Sequence, residues 1–569
     1  MTDQIAPVLI LGAGINGAAL ARELALNGVP VVIVDSADVC FGATAYSSRL
    51  IHGGLRYLEY GDFALVRESL AERTRLLRLA PQFVRPLHIH IPVTRRSGGW
   101  LGGAIRFLGG KGSDKPSQRG LWLIRTGLWL YDRFARDPSL PHRTVRRVGH
   151  DAGPKVDPQR YRWLCGYWDA QIRFPERYVQ ALLADARHLA HEAGVAFRVL
   201  TYHHARQRER IVELLPIAEC LSPETIEVSA IVNATGAWVD LTLSELDVPS
   251  PKLMAGTKGT HFITFHEGLR RALADQALYA EAEDGRPVFI LPFGESVLVG
   301  TTDIPFSGRP EEALASDEEL GYLVAAVNDI FPQVRLTQSD LELHYCGVRP
   351  LPASHAATPA SVTRRHKLVV HEGVDVPTFS IVGGKLTTSR QLAEEATATI
   401  LTVLGKAVSR NSRTRAVPGG EDYPATNEAL AAVQREIARE FSLAQVQVAA
   451  GWALFGTRLR SVLIEADRPN PSADVGWENL DGTSLPLAIA RWIITHEVPH
   501  KLDDLVERRL MLLYHRPLTP ECVRQLASLL VEAKVISPAD VGGQVAAAVA
   551  RLNSHFGKNV AGIASREVD

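Results

Sequence analysis

The chain has 569 residues, with 62 Lys and Arg against 63 Asp and Glu and a net charge of −1. That length exceeds what one hydrophobic core supports and calls for two or three domains, while the charge balance excludes a global electrostatic footprint for nucleic acid. Its five cysteines (Cys40, Cys165, Cys220, Cys346, Cys522) have no CxxC and no metal-ligand spacing, which predicts no metal, no disulfide framework and a reducing compartment.

In chain order, Val8–Leu11 is a short apolar run of the kind that forms a strand buried on both faces. Gly12-Ala13-Gly14-Ile15-Asn16-Gly17 follows, then a helical stretch to Leu26, Asn27-Gly28 as punctuation, and a second apolar run, Val31–Val34, ending in Asp35. This is one strand–turn–helix–strand unit. Gly12 permits the tight turn, Gly14 lets backbone approach a pyrophosphate, and Gly17 lets helix and strand pack closely. The helix N-terminus offers unpaired N–H groups to phosphates. Asp35 lies near the spacing of an acid that accepts from ribose hydroxyls. The unit predicts a dinucleotide site without choosing between NAD and FAD. It starts almost at the first residue, so no signal peptide is expected. No run of about 18 apolar residues predicts a spanning helix.

Ala43, Thr44, Ala45, Ser47 and Ser48 then lead into Arg49-Leu50-Ile51-His52-Gly53-Gly54-Leu55-Arg56-Tyr57. Small side chains and paired glycines suit a backbone lying along a flat ligand. The sequence SSRLIHGGLRYLE after a GAGINGA turn resembles the FAD-dependent glycerol-3-phosphate dehydrogenases, within the D-amino-acid-oxidase-like flavoproteins. The resemblance implies FAD as cofactor. It implies that His52, Arg56 and Tyr57 line the active site. Asn16, Ser36, Thr44, Ser47, Ser48, Leu50, Gly53 and Gly54 would contact FAD, as would Ala234, Gly236, Gly384, Lys385, Leu386 and Thr387 further on.

Phe63–Leu79 has helical spacing, closed by Pro81. Arg95–Arg136 carries nine basic residues against two acids, interleaved with Trp100, Phe107, Trp122, Trp129, Tyr131 and Phe134. Such a mixture suits a surface facing anionic lipid, and also suits RNA. Its Gly- and Arg-rich part, Ser97–Gly120, is longer than the family leads one to expect. Val195–Leu200 and Ile226–Asn233 are β-type runs, the second ending in Asn233-Ala234-Thr235-Gly236, and ligands in open α/β sheets bind at strand carboxyl ends. Met254–Phe265 and Pro287–Thr302 alternate like antiparallel strands. By the resemblance, Lys258, His261 and the Gly300–Asp303 turn lie near the site.

Arg349 and Arg364 are the phosphate candidates, because a planar fork binds phosphate bidentately where Lys does not. Phe379–Arg390 delivers Gly383-Gly384 to a helix N-terminus; with Lys385, that end would stabilise negative charge on a flavin edge. Past Val417-Pro418-Gly419-Gly420, the chain to the end reads as amphipathic helices, with helix stops at Gly451 and Pro499.

The expected fold class is α/β. A Rossmann-like FAD-binding domain (1–75, 155–245 and 340–410) carries an inserted antiparallel-sheet substrate domain (76–154 and 246–339) and an all-α C-terminal domain (415–569). The expected reaction is oxidation of sn-glycerol 3-phosphate to dihydroxyacetone phosphate. A hydride goes to flavin N5, and the base is left open among His52, Arg56 and His261. Arg349 belongs to both the catalytic and the phosphate-binding set. The expected partners are glycerol 3-phosphate, a membrane quinone and an anionic membrane surface, with no nucleic acid. The assembly state is open, a homodimer included. The expected place is the cytoplasmic face of a membrane, peripherally held. An oxidase passing electrons to O₂ fits the same residues, and a flavin-binding polyanion-associated protein is the reading from a different class.

Overall fold

The computed structural model describes residues 6–96, 120–149, 153–217, 222–282, 284–353, 365–467 and 477–560. Its first layer is a six-stranded sheet. In spatial order the strands are Lys367–His371, Thr378–Val382, Ala230–Asn233, Val8–Leu11, Val31–Asp35 and Phe197–Thr201. All neighbours run parallel except the first pair. The apolar runs Val8–Leu11 and Val31–Val34 are buried on both faces, and their period of two divides them. Val8, Ile10, Val31 and Ile33 pack under the helices Ile15–Leu26, Pro175–Glu192 and Ser389–Val403. Leu9, Leu11, Val32 and Val34 pack against Val212 and Leu214 of a three-stranded antiparallel sheet, His203–Arg208, Ile211–Pro216 and Glu224–Glu227.

The second layer is a ten-stranded mixed sheet built on the long pairs Met254–Thr264 with Leu341–Pro352 and Val84–Val93 with Trp163–Ile172. Helix Asp317–Ile330 covers its outer face, packing Leu320, Leu323 and Val327 against Phe262, Ile290 and Val299. Strands Trp163–Ile172 and Leu341–Pro352 fall within the spans 155–245 and 340–410 expected for the nucleotide domain, yet they pair in this second sheet. Among the described residues both pair only within the second sheet, so sequence spans and sheet membership do not coincide.

The C-terminal part is helical, from Asn427–Glu440 to Val541–Phe556. Gly451 is not a helix stop. It lies inside helix Gln445–Phe455, where a Cβ would come 2.6 Å from Leu459 Cδ1 and 3.0 Å from Ile489 Cδ1. The glycine is there for close helix packing. Pro499 does follow the end of Leu487–Glu497. Among the described residues no helix is long and apolar enough to cross a membrane.

Candidate active site

The Gly-rich turn takes the conformation its sequence implies. Gly12 has φ +103°, and a Cβ there would lie 2.8 Å from the Ala234 carbonyl oxygen. A Cβ on Gly17 would lie 1.9 Å from the Gly12 oxygen, so helix and turn touch backbone to backbone. Asp35 closes the turn from the next strand. Its carboxylate accepts from Ala13 N at 2.7 Å and from Ala37 N at 2.9 Å. Burial pushes its pKa up to about 6. Thr44 Oγ1 accepts from Ile15 N at 3.1 Å, which ties the following loop to the helix N-terminus.

The segment after that loop is fixed from below by a buried polar cluster. Gly53 N donates to Tyr131 Oη at 2.9 Å and to Asp169 Oδ1 at 3.2 Å. Tyr131 Oη donates to Asp169 at 2.6 Å, and Arg73 pairs with the same carboxylate at 3.1 Å. A buried carboxylate survives only when charge and hydrogen bonds compensate its lost hydration. Here Arg73, Tyr131 and Gly53 offset part of that loss, and burial still raises the Asp169 pKa. Gly54 follows at φ +75°, its missing Cβ space taken by the Tyr57 ring 2.1 Å away. His52 N donates to Thr387 Oγ1 at 3.1 Å, joining this segment to the turn before helix Ser389–Val403.

The second sheet supplies the opposite wall. His261 lies on strand Met254–Thr264 with Ser48 Oγ 2.8 Å from its Nε2. Its ring stacks on Tyr345 with centroids 4.9 Å apart. Burial, reinforced by the Arg349 and Arg49 charges, holds its pKa well below the usual histidine range. It is therefore a neutral imidazole at neutral pH. Arg349 comes from the adjacent strand. Its guanidinium pairs with Asp303 Oδ1 at 2.9 Å and donates to Thr301 Oγ1 at 2.6 Å and the Thr302 carbonyl at 3.0 Å. Lys258 turns the other way, to Glu319 at 2.7 Å. That carboxylate also accepts from Thr260 and Thr302, so Lys258 supports the turn and does not line the cleft.

These walls enclose one cleft of about 1460 Å³. Gly12, Gly14, Asn16, Asp35, Ser36, Thr44, Ser47, Ser48 and Leu50 line it, as do His52, Gly54, Arg56 and Tyr57. So do Ala234, Gly236, His261 and Arg349, and the run Gly384, Lys385, Leu386 and Thr387. Lys385 Nζ sits 3.9 Å from the Tyr57 ring centroid. Two expected cofactor contacts stand behind the wall instead. Gly17 is packed under the turn, and Gly53 has its N–H committed to Tyr131 and Asp169. Arg364 lies outside the described residues. Sequence reasoning did not single out Asp169, Tyr131 or Arg49, the last paired with Glu176 at 2.7 Å, as supports of this segment. For Asp169 the only signal is a lone acid inside the largely apolar strand Trp163–Ile172.

The residues fit FAD. The cleft exceeds the roughly 300–1,000 Å³ common for small-ligand sites, as an extended dinucleotide requires. Backbone takes the place of side chain where a pyrophosphate must come close, and Asp35 stands at the ribose position of the fingerprint.

Comparison with known proteins agrees. The family described as FAD dependent oxidoreductase matches residues 7–390. A glycerol-3-phosphate dehydrogenase of Synechocystis is 34% identical over 449 residues, 74% of either chain. A glycerol-3-phosphate dehydrogenase of Pseudomonas aeruginosa is 31% identical over 520 residues, 89% of this chain and 91% of its own. The crystal structure of a glycerol-3-phosphate dehydrogenase from Bacillus halodurans with FAD shares the fold at TM-score 0.72 and 18% identity, covering 97% of this chain and 95% of that one. The chain is therefore an FAD-dependent oxidoreductase and belongs to the family of the glycerol-3-phosphate dehydrogenases.

Proposed function

We propose that this enzyme oxidises sn-glycerol 3-phosphate to dihydroxyacetone phosphate and passes the electrons to a membrane quinone. The observation that carries the reading is that the dinucleotide turn at Gly12, the histidines His52 and His261, and Arg349 all line one cleft. The names of the similar proteins support the same substrate.

When bound, FAD would supply the two-electron acceptor for the hydride leaving C2, and the turn at Gly12 and the Gly384–Thr387 run would hold it. The chain's own residues do the rest. Arg349 binds the phosphate with Arg364, and fixing that remote group orients C2, which is a large contribution to rate. Asp303 and Thr301 hold the Arg349 fork in place before substrate arrives. The 2-hydroxyl proton passes to an imidazole. His261 is neutral and on the wall, and His52 is on the wall beside the Gly384–Thr387 turn. A base must stand within hydrogen-bond reach of its proton, and both histidines are placed to be tested for it. Arg56 and Tyr57 line the same cleft.

The membrane part of the reading rests on helix Leu121–Ala135. Leu121, Ile124, Leu128 and Tyr131 face the core, while Trp122, Arg125, Trp129 and Arg133 form an exposed stripe. Trp122 and Trp129 are 54% and 49% exposed, with Arg125 over the Trp122 ring at 5.0 Å. Large exposed aromatics beside cations are what an anionic membrane surface takes up. Of the other aromatics in that stretch, Tyr131 is core and Phe134 packs on Phe63. Trp100 and Phe107 lie outside the described residues. Peripheral attachment at the cytoplasmic face follows from this reading.

Anaerobic addition of glycerol 3-phosphate to the purified flavoprotein tests the reaction. The flavin band should bleach, glycerol at the same concentration should bleach it only slowly, and a short-chain quinone should restore it faster than oxygen does. No bleaching refutes the substrate. Faster return with oxygen makes the protein an oxidase.

A further inference from the structure

The family match stops at residue 390, but the cofactor cleft does not. Lys501, Asp503, Arg508 and Arg551 of the C-terminal helical domain line it. Lys501 is exposed, with Nζ 4.4 Å from the Tyr202 ring centroid. Tyr202 follows Thr201, which is the register partner of Asp35, and Tyr202 N donates to the Ala37 carbonyl at 3.3 Å. Lys501 therefore stands at the Asp35 end of the cleft, where the fingerprint puts the adenosine ribose.

The same domain grips the loop that runs along the cofactor. Asp38 is fully buried and accepts from Arg508 Nε at 2.8 Å and from both terminal nitrogens of Arg509 at 2.7 Å. Tyr46 Oη accepts from Arg551 at 3.2 Å, Tyr202 Oη donates to Asp504 at 2.6 Å, and buried Arg49 donates to the Tyr514 hydroxyl. Burying charges gives little net stability compared with apolar packing of the same volume. A joint of this kind specifies position, and the loop it positions carries Thr44, Ser47 and Ser48, all on the cleft wall.

We propose that the C-terminal helical domain is part of the FAD site: Lys501 contacts the adenosine end of the cofactor, and the Asp38–Arg508–Arg509 joint holds the 36–48 loop in its cofactor-binding position. The domain thus governs cofactor retention. This goes beyond the substrate reading and is tested without any substrate.

The experiment is titration of the deflavinated full-length protein with FAD, read by quenching of flavin fluorescence, alongside the melting temperature of each FAD-free protein. Lys501→Ala should weaken FAD binding about threefold and Lys501→Glu about tenfold, the range of one cation at a partly exposed ring or ribose site. Their FAD-free melting temperatures should equal the parent's, because Lys501 is exposed. Tyr46→Phe and Tyr514→Phe each remove one tie without leaving a buried charge alone. They should raise the rate of FAD release on dilution. FAD affinity unchanged in Lys501→Glu overturns the contact. Lower melting temperatures with unchanged affinity and release in the two tyrosine variants make the joint a fold support only and overturn the positioning role.

Discussion

The Arg349 guanidinium and the Asp303 carboxylate meet at 2.9 Å on the wall of the cleft, 46 residues apart in sequence and brought together because Met254–Thr264 pairs both with Leu341–Pro352, which carries Arg349, and with Ser296–Gly300 and Ile304–Pro305, which flank Asp303. The pair leaves the arginine's planar fork fixed in direction. A phosphate recognised there meets a cation that needs no further ordering, and less entropy is lost on binding.

Arg349→Lys keeps the charge and loses the fork. Binding of glycerol 3-phosphate should weaken by about 1.5–3 kcal/mol, the scale of a hydrogen bond to a charged group. The slow oxidation of glycerol, which lacks the phosphate, should change far less. Steady-state kinetics with both substrates decide it. Equal losses would make Arg349 a support for the Thr301–Asp303 turn.

The proton acceptor is found by replacing each imidazole separately. His52→Gln and His261→Gln should both retain flavin. The variant lacking the base should lose about 10²–10⁴-fold in the rate of flavin reduction. The other should change KM more than the reduction rate. Stopped-flow reduction across pH separates them. Because His261 is neutral well below the usual range, a pH profile with no inflection near its ordinary pKa is expected if His261 is the acceptor.

His88 provides a stability test. It stacks on Trp168 with ring centroids 4.6 Å apart, and burial holds its pKa down to about 4. The unfolded histidine titrates near ~6.5. Between these values the unfolded chain binds a proton that the folded chain refuses, so the neutral ring's contribution is full above ~6.5 and is lost as pH falls toward 4. His88→Gln should therefore melt less steeply with acid than the parent. Parallel curves for the two proteins between pH 7 and 5 would contradict the assignment.

Flotation with vesicles tests the exposed stripe. The parent should float with anionic vesicles and not with neutral ones, and salt should weaken it, each cation near such a surface contributing about 1 kcal/mol. Arg125→Glu with Arg133→Glu should abolish flotation, and Trp122→Ala with Trp129→Ala should weaken it. Turnover with a water-soluble dye should persist throughout. Flotation unaffected by either pair removes the membrane role from this helix.

Much of the nucleotide end was legible in the sequence because it is local. Val8–Asp35 is a contiguous strand–turn–helix–strand whose glycine positions and apolar period dictate its shape, and the structure forms it with Asp35 on the turn. The stripe on helix Leu121–Ala135 was partly legible: composition pooled its aromatics, whereas the helical period separates outward Trp122 and Trp129 from inward Tyr131. The rest depended on contacts that no spacing encodes. Ser48 reaches His261 across 213 residues, and Asp38 reaches Arg509 across 471. Gly53 reads as a ligand contact, but its N–H is captured by Tyr131 and Asp169 from two other elements. By itself the sequence determined a dinucleotide turn, its period-two strands and a helical C-terminus, since each is set by neighbours along the chain. Tertiary structure alone decided which wall each charged group serves. Strand register and the cost of burying an unpaired charge select those partners, and both act between residues far apart in sequence.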